Sequence, residues 1–139
     1  MIQIIAYIRA MQIATQHFHN LCARTPFHSD HEFFSGVYES LQSDYDSVIE
    51  RHIGIKGEEG LELKSLMTIV MKNLEGVPSV GVKENSVFYN HLLKCEQQLC
   101  MIISETLKQG VTPSTEQLLG DICNASEVRQ YKIKQRIKK

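Results

Sequence analysis

No stretch of this chain approaches the ~20 consecutive apolar residues that a membrane-crossing helix needs, and tryptophan is absent altogether. Proline is scarce, with three residues in 139, and the opening MIQIIAYIRAMQIATQ has no basic leader ahead of an apolar block. These absences argue against a bilayer-spanning protein, a secretory leader and a loop-rich fold. The four cysteines, Cys22, Cys95, Cys100 and Cys123, form no C-x-x-C pair. In a helical chain without a secretion signal their thiols are expected to be reduced and buried, and the chain cytoplasmic. Charge of one sign is lacking too: 15 Lys and Arg against 16 Asp and Glu give a formal net charge of −1. A globally basic DNA-binding protein is thereby excluded, and any nucleic-acid contact has to be local.

What is present is helical periodicity over nearly the whole length, in a chain long enough for one domain (1–139) with a sizeable core. Ile4, Ile8, Met11, Thr15, Phe18 and Cys22 recur in steps of four and three, and Pro26 ends that first helix at the latest. A second helix carries Phe34, Tyr38, Leu41, Tyr45 and Val48. Ser29 and Glu32 fit a capping box at its start, and Gly54 is its natural stop. After the charged turn IKGEEG, the segment LELKSLMTIVMKNL reads as a short connecting helix ended by Gly76, Pro78 and Gly81. Asn85 or Ser86 is expected to cap a third long helix with the stripe Phe88, Leu92, Cys95, Leu99 and Ile102, closed by Gly110. Thr112 with Pro113 opens a fourth, whose apolar side is Leu118, Leu119, Ile122, Ala125 and Val128.

Candidate ligands concentrate between His17 and Arg51. His19 stands near the end of the first helix and His31 near the start of the second. A short linker makes these helices antiparallel neighbours, so the two imidazoles meet at the loop end. Asp46 and Glu50 are i, i+4 and share one face. Fifteen residues separate His31 from Asp46, ~22 Å at 1.5 Å per residue, so one metal ion cannot bind both pairs within one chain. A twofold axis laying two such hairpins antiparallel brings each half-site to its complement, which points to a metal site between subunits.

The order and spacing of His19, Phe27, His31, Asp46, Glu50 and Arg51 resemble the pattern of the Dps family, small ferritin-like iron proteins. The resemblance implies an all-α, ferritin-like four-helix bundle with a short extra helix between the second and third long helices. It further implies a homo-oligomeric, twelve-subunit shell (a dodecamer) that oxidises Fe(II), with hydrogen peroxide as the expected oxidant, and mineralises ferric iron inside, protecting against oxidative damage. His19 and His31 would come from one subunit and Asp46 and Glu50 from its twofold mate, with iron as the metal. The chain departs from the family in having Ser35 where an Asp is usual, and in lacking the usual tryptophan. A hydroxyl is a poor substitute for a carboxylate at a hard Fe(II) site. Asp30, Glu32 and Ser35 are therefore candidate secondary metal residues, with His17 and His28 close by.

Other residues invite separate readings. His91 and Glu96 lie in the third long helix, but neither that helix nor the fourth carries the Glu-x-x-His of an in-bundle di-iron centre, and His91 is expected at the surface or the core edge. Asp121 and Glu127 are candidates for shell pores. The chain ends RQYKIKQRIKK, where Lys132, Lys134, Arg136, Lys138 and Lys139 are candidate DNA-binding residues with a salt-dependent grip on phosphates. The alternative to the ferroxidase is a non-catalytic shell or DNA-binding protein with a degraded iron site.

Overall fold

The structure, a computed structural model, describes residues 1–23 and 26–138. These form five helices and, among the described residues, no strand. Four are long: α1 (Ile2–Leu21), α2 (Phe27–Lys56), α4 (Asn85–Lys108) and α5 (Pro113–Ile137). One, α3 (Leu63–Asn73), is short and lies between the second and third long helices. No helix is long and apolar enough to cross a membrane.

Side-chain contacts fix the directions of the long helices. His19 meets His31 while Arg9 meets Tyr45, so α1 and α2 run antiparallel. Phe18 stacks on Phe88, and Tyr7 lies beside Cys95, so α1 and α4 are also antiparallel. Glu96 meets Arg129 and Cys100 meets Cys123, so α4 and α5 are antiparallel in turn. Asp30 and Phe34 of α2 both reach Tyr89 of α4, near the start of each helix, and these two run parallel. The order is up, down, down, up. Two consecutive long helices pointing the same way require a connection that travels back along the bundle, and residues 57–84, including α3, make it. Leu66 and Val70 bury the inner side of α3, which packs on α1.

The core is where the periodicities place it in α1: Ile4, Ile8, Met11, Thr15, Phe18 and Cys22 are all buried. In α2, Phe34, Leu41 and Val48 are buried, with Tyr38 and Tyr45 half-buried. Phe18, Phe34, Phe88 and Tyr89 form a continuous aromatic cluster at the α1–α2 loop end.

Several helix ends differ from expectation. α2 begins at Phe27 with Pro26 at the cap, so Ser29 already lies in the first turn; its hydroxyl donates back to the Pro26 carbonyl, and no capping box forms. Gly54 does not stop α2. A glycine ends a helix where a left-handed residue is needed, and that residue is Gly57, at φ 66°. Neither Asn85 nor Ser86 caps α4, because the Asn85 side chain is drawn across to Ala23 and Asp30. Thr112 caps α5 as expected, its hydroxyl accepting from the Thr115 N–H.

The buried side of α5 also differs. It consists of Thr115, Leu119, Ile122, Ser126, Arg129 and Ile133, whereas Val128 is exposed. Two polar residues, Ser126 and Arg129, stand deep in that stripe because α4 presents Glu96, fully buried, at the matching height. Arg129 grips both Glu96 oxygens, Nε to Oε1 at 2.5 Å and Nη2 to Oε2 at 3.0 Å, and the Ser126 hydroxyl donates to Oε2 at 2.6 Å. The fork geometry satisfies the carboxylate, as burial of a charge requires. Asp44 of α2 sits near this pair. Its burial raises its carboxyl above the usual range, with Arg129 opposing and Glu96 reinforcing that rise.

Candidate metal site

The two imidazoles are locked together. The His19 and His31 rings stack with centroids 3.6 Å apart. His19 Nδ1 lies 2.9 Å from the His31 carbonyl oxygen, and His31 Nδ1 lies 3.0 Å from the His19 carbonyl oxygen. A carbonyl only accepts, so each Nδ1 must carry the proton and donate it. In the neutral ring that leaves Nε2 as a lone-pair donor on both residues. Orientation of one ring nitrogen by a carbonyl so that the other is presented to a metal is the usual outer-shell arrangement of ligating histidines.

Flanking aromatics hold the pair in place. Phe27 lies over His31 at 5.0 Å between centroids, and Tyr38 meets His19 edge-on at 5.3 Å. Both histidines are half-buried, so the site faces outward at the loop end.

At the other end of α2, Asp46 and Glu50 are exposed, and neither makes an ion pair among the described residues. Arg51 does not neutralise Glu50; its guanidinium donates to the Ser114 hydroxyl at 2.7 Å. Glu50 and Arg51 border an open groove with Ser47, Gly54 and Leu118. The fold thus brings His19 to His31 but keeps both far from Asp46 and Glu50, which share the opposite end of the same helix.

The secondary candidates are placed differently from one another. Asp30 is buried and turned into the bundle, where Tyr89 Oη, Asn85 Nδ2 and Arg136 Nη1 donate to its carboxylate at 2.5, 2.9 and 2.7 Å. Its expected place beside the histidine pair as a secondary ligand is corrected accordingly: both its oxygens are taken up inside the fold. Burial and the Asp30 bond together push the Tyr89 hydroxyl well above its ordinary range. Glu32 is exposed. The Ser35 hydroxyl donates to the Glu32 carbonyl at 3.0 Å, which leaves at most a weakly basic oxygen for a metal. His17 bonds the Ser79 carbonyl in the crossover, at 3.2 Å, and is tied to that segment.

The basic end of the chain is less uniform than its sequence. Arg129 is buried on Glu96, and Arg136 bonds Asp30 while lying 4.8 Å over the Phe33 ring. Arg136 as a free phosphate contact is therefore corrected to a surface arginine tied to a buried carboxylate, because Asp30 outcompetes solvent for its guanidinium. Lys132, Lys134 and Lys138 are exposed, and Lys139 lies outside the described residues. Helical structure continues to Ile137.

His91 is at the core edge, its ring edge-on to Phe18 at 5.9 Å. Burial lowers its pKa, and Lys94 adds to the shift. Sequence reasoning missed two further constellations, the Asp30–Tyr89–Asn85–Arg136 lock and a convergence of Cys100, Cys123 and Glu127 between α4 and α5. The readable signal for the second was Cys123 and Glu127 at i, i+4; its partner on α4 required the helix pairing.

No protein-family model matches the chain, and no curated protein matches it.

Proposed function

We infer that this chain is the subunit of a cytoplasmic Dps-like shell that takes Fe(II) as substrate, oxidises it at sites shared across twofold interfaces and stores the ferric product. One observation carries the reading. The reciprocal Nδ1–carbonyl clasp presents two Nε2 lone pairs at one end of α2, while two exposed carboxylates stand at the other. The up, down, down, up order with a single long crossover supports it, since that is the connectivity of ferritin-like four-helix bundles. So does α3, the short extra helix within the crossover.

In this reading His19 and His31 of one subunit and Asp46 and Glu50 of its mate complete each site. Imidazole and carboxylate together suit Fe(II), and anionic oxygen favours Fe(III) after oxidation. Two Fe(II) each lose one electron to one hydrogen peroxide. The O–O bond breaks, and two protons convert the oxygens to two waters. The two-electron route avoids free hydroxyl radical. Ser35 weakens the second iron position, so oxidation is expected to begin from one bound iron and to run slower than with a full carboxylate set.

The test is ferric absorbance after mixing Fe(II) and peroxide with the protein in a stopped-flow instrument. Wild-type protein should oxidise faster than buffer and keep the product soluble. Asp46→Asn combined with Glu50→Gln should return the rate to that of buffer while leaving the assembly mass unchanged. Undiminished oxidation in that variant would falsify the site. A second reading, a non-catalytic or DNA-binding shell, draws on the Ser35 hydroxyl being bound to the Glu32 carbonyl. No acceleration over buffer in the wild type would favour it.

A further inference from the structure

We propose that Cys100, Cys123 and Glu127 form a second metal site, one that takes a borderline-soft divalent ion of the Zn(II) class between α4 and α5. The two Sγ atoms and one Glu127 carboxylate oxygen all lie within 4.8 Å of one another. A Zn(II) ion with bonds of ~2.3 Å to sulfur and ~2.0–2.2 Å to oxygen requires ligand atoms ~3.5–3.8 Å apart in a tetrahedron. Small side-chain rotations close that difference, since Cys123 and Glu127 stand one turn apart on α5 and Cys100 faces them from α4.

The donor types select the ion. Two thiolates favour Zn(II), Cd(II) or Cu(I) over Fe(II), so this site is chemically distinct from the imidazole and carboxylate residues of α1 and α2. Both thiols are free, and both residues are only partly buried, with Glu127 exposed. Solvent and ions can therefore reach the cluster. Gln130 Nε2 approaches Cys100 Sγ at 3.7 Å, an N–H donor positioned to stabilise thiolate character once a metal binds. Cys22 and Cys95 show no such convergence: Cys22 is buried and directs its thiol to the His19 carbonyl, and Cys95 lies beside Tyr7.

Binding exchanges two thiol protons for one divalent ion, with no change of oxidation state. Three protein ligands leave one position for water, and the ion ties α4 to α5 near their middles.

The experiment uses the full-length protein, reduced and metal-free, titrated with Co(II) under argon. The expected result is a thiolate-to-cobalt charge-transfer absorption in the near ultraviolet that saturates at one ion per chain and is displaced by Zn(II). Cys100→Ser and Cys123→Ser should each remove the band, and Glu127→Gln should weaken binding at least about tenfold, given that removal of outer-shell groups alone costs about 10–100-fold. His19→Ala combined with His31→Ala should leave the band intact. In unmodified protein, Zn(II) should also protect Cys100 and Cys123 from maleimide while leaving the labelling of Cys95 unchanged, a readout independent of whether any variant folds. Absence of the band in wild type, its survival in both cysteine variants, or unprotected Cys100 and Cys123 would overturn the assignment. Failure of iron oxidation would leave it standing, because the two sites share no residue.

Discussion

His19 and His31 exchange hydrogen bonds: each ring donates its Nδ1 proton to the other residue's backbone carbonyl, at 2.9 and 3.0 Å. The clasp couples the end of α1 to the start of α2 and sets the tautomer of both rings in the same step. His31→Ala removes one ring and its bond to the His19 carbonyl, while the backbone carbonyl that His19 Nδ1 bonds remains. On the proposed function, Fe(II) oxidation should fall at least about tenfold, as disruption of oriented ligand geometry does. The stability cost should be only about 0.5–1.5 kcal/mol for the one partly exposed hydrogen bond lost. Stopped-flow rates and urea denaturation on the same samples measure both, and an unchanged rate would remove His31 from the site.

The Glu96–Arg129 pair makes a different prediction, about stability alone. Arg129→Ala leaves a fully buried carboxylate without its cation, which typically costs about 3–5 kcal/mol. Replacing both members with Glu96→Leu and Arg129→Met removes the charges together and should recover most of that cost. Denaturation midpoints of the single and double variants decide it. A double variant no better than the single would mean that the pair is needed for more than mutual compensation.

His91 provides the pH dependence. Burial against Phe18, with Lys94 nearby, lowers its folded-state pKa below the ordinary 6.5. Between the lowered value and 6.5 the unfolded chain binds more protons than the native one, so this residue's contribution to stability falls as the pH drops through 6.5. His91→Gln should flatten that part of the stability profile, leaving the mutant less sensitive than wild type between about pH 7 and pH 5, a window set by the ordinary histidine range. Parallel profiles would show that another group causes the dependence.

The lysines unpaired among the described residues and the arginine tied to Asp30 at the end of α5 should separate cleanly. Lys132→Gln, Lys134→Gln and Lys138→Gln together should leave the melting temperature within about a degree, because exposed charges contribute little. If DNA is a partner, these changes should weaken its binding and reduce the salt slope by about one unit for each phosphate no longer neutralised. Arg136→Ala should instead destabilise by about 1–3 kcal/mol by stripping a charged hydrogen bond from buried Asp30. Truncation before Lys132 would confuse the two effects, since it also deletes Ile133 from the core.

Much of the candidate site is legible in the sequence, and for local reasons. His19 and His31 flank a short linker, so helix geometry alone brings them together; Asp46 and Glu50 share a face by i, i+4 spacing. Phe27 becomes interpretable only in the structure, as the ring lying over His31. The helix ends are less legible. Caps depend on where the chain turns: Asn85 has the residue type of a cap, yet its side chain bonds Ala23 and Asp30 from a different part of the fold.

From sequence alone came the all-α class, the number of long helices, the short helix between the second and third, and the separation of the imidazoles from the carboxylates. All of these follow from periodicity and rise per residue along one segment. Tertiary structure decided which polar residues pair with a buried partner. Asp30 and Arg136 stand 106 residues apart and Glu96 and Arg129 stand 33 apart. Whether such a charge faces water or a partner depends on the height at which helices pair, a relation between segments that no single stretch of sequence contains.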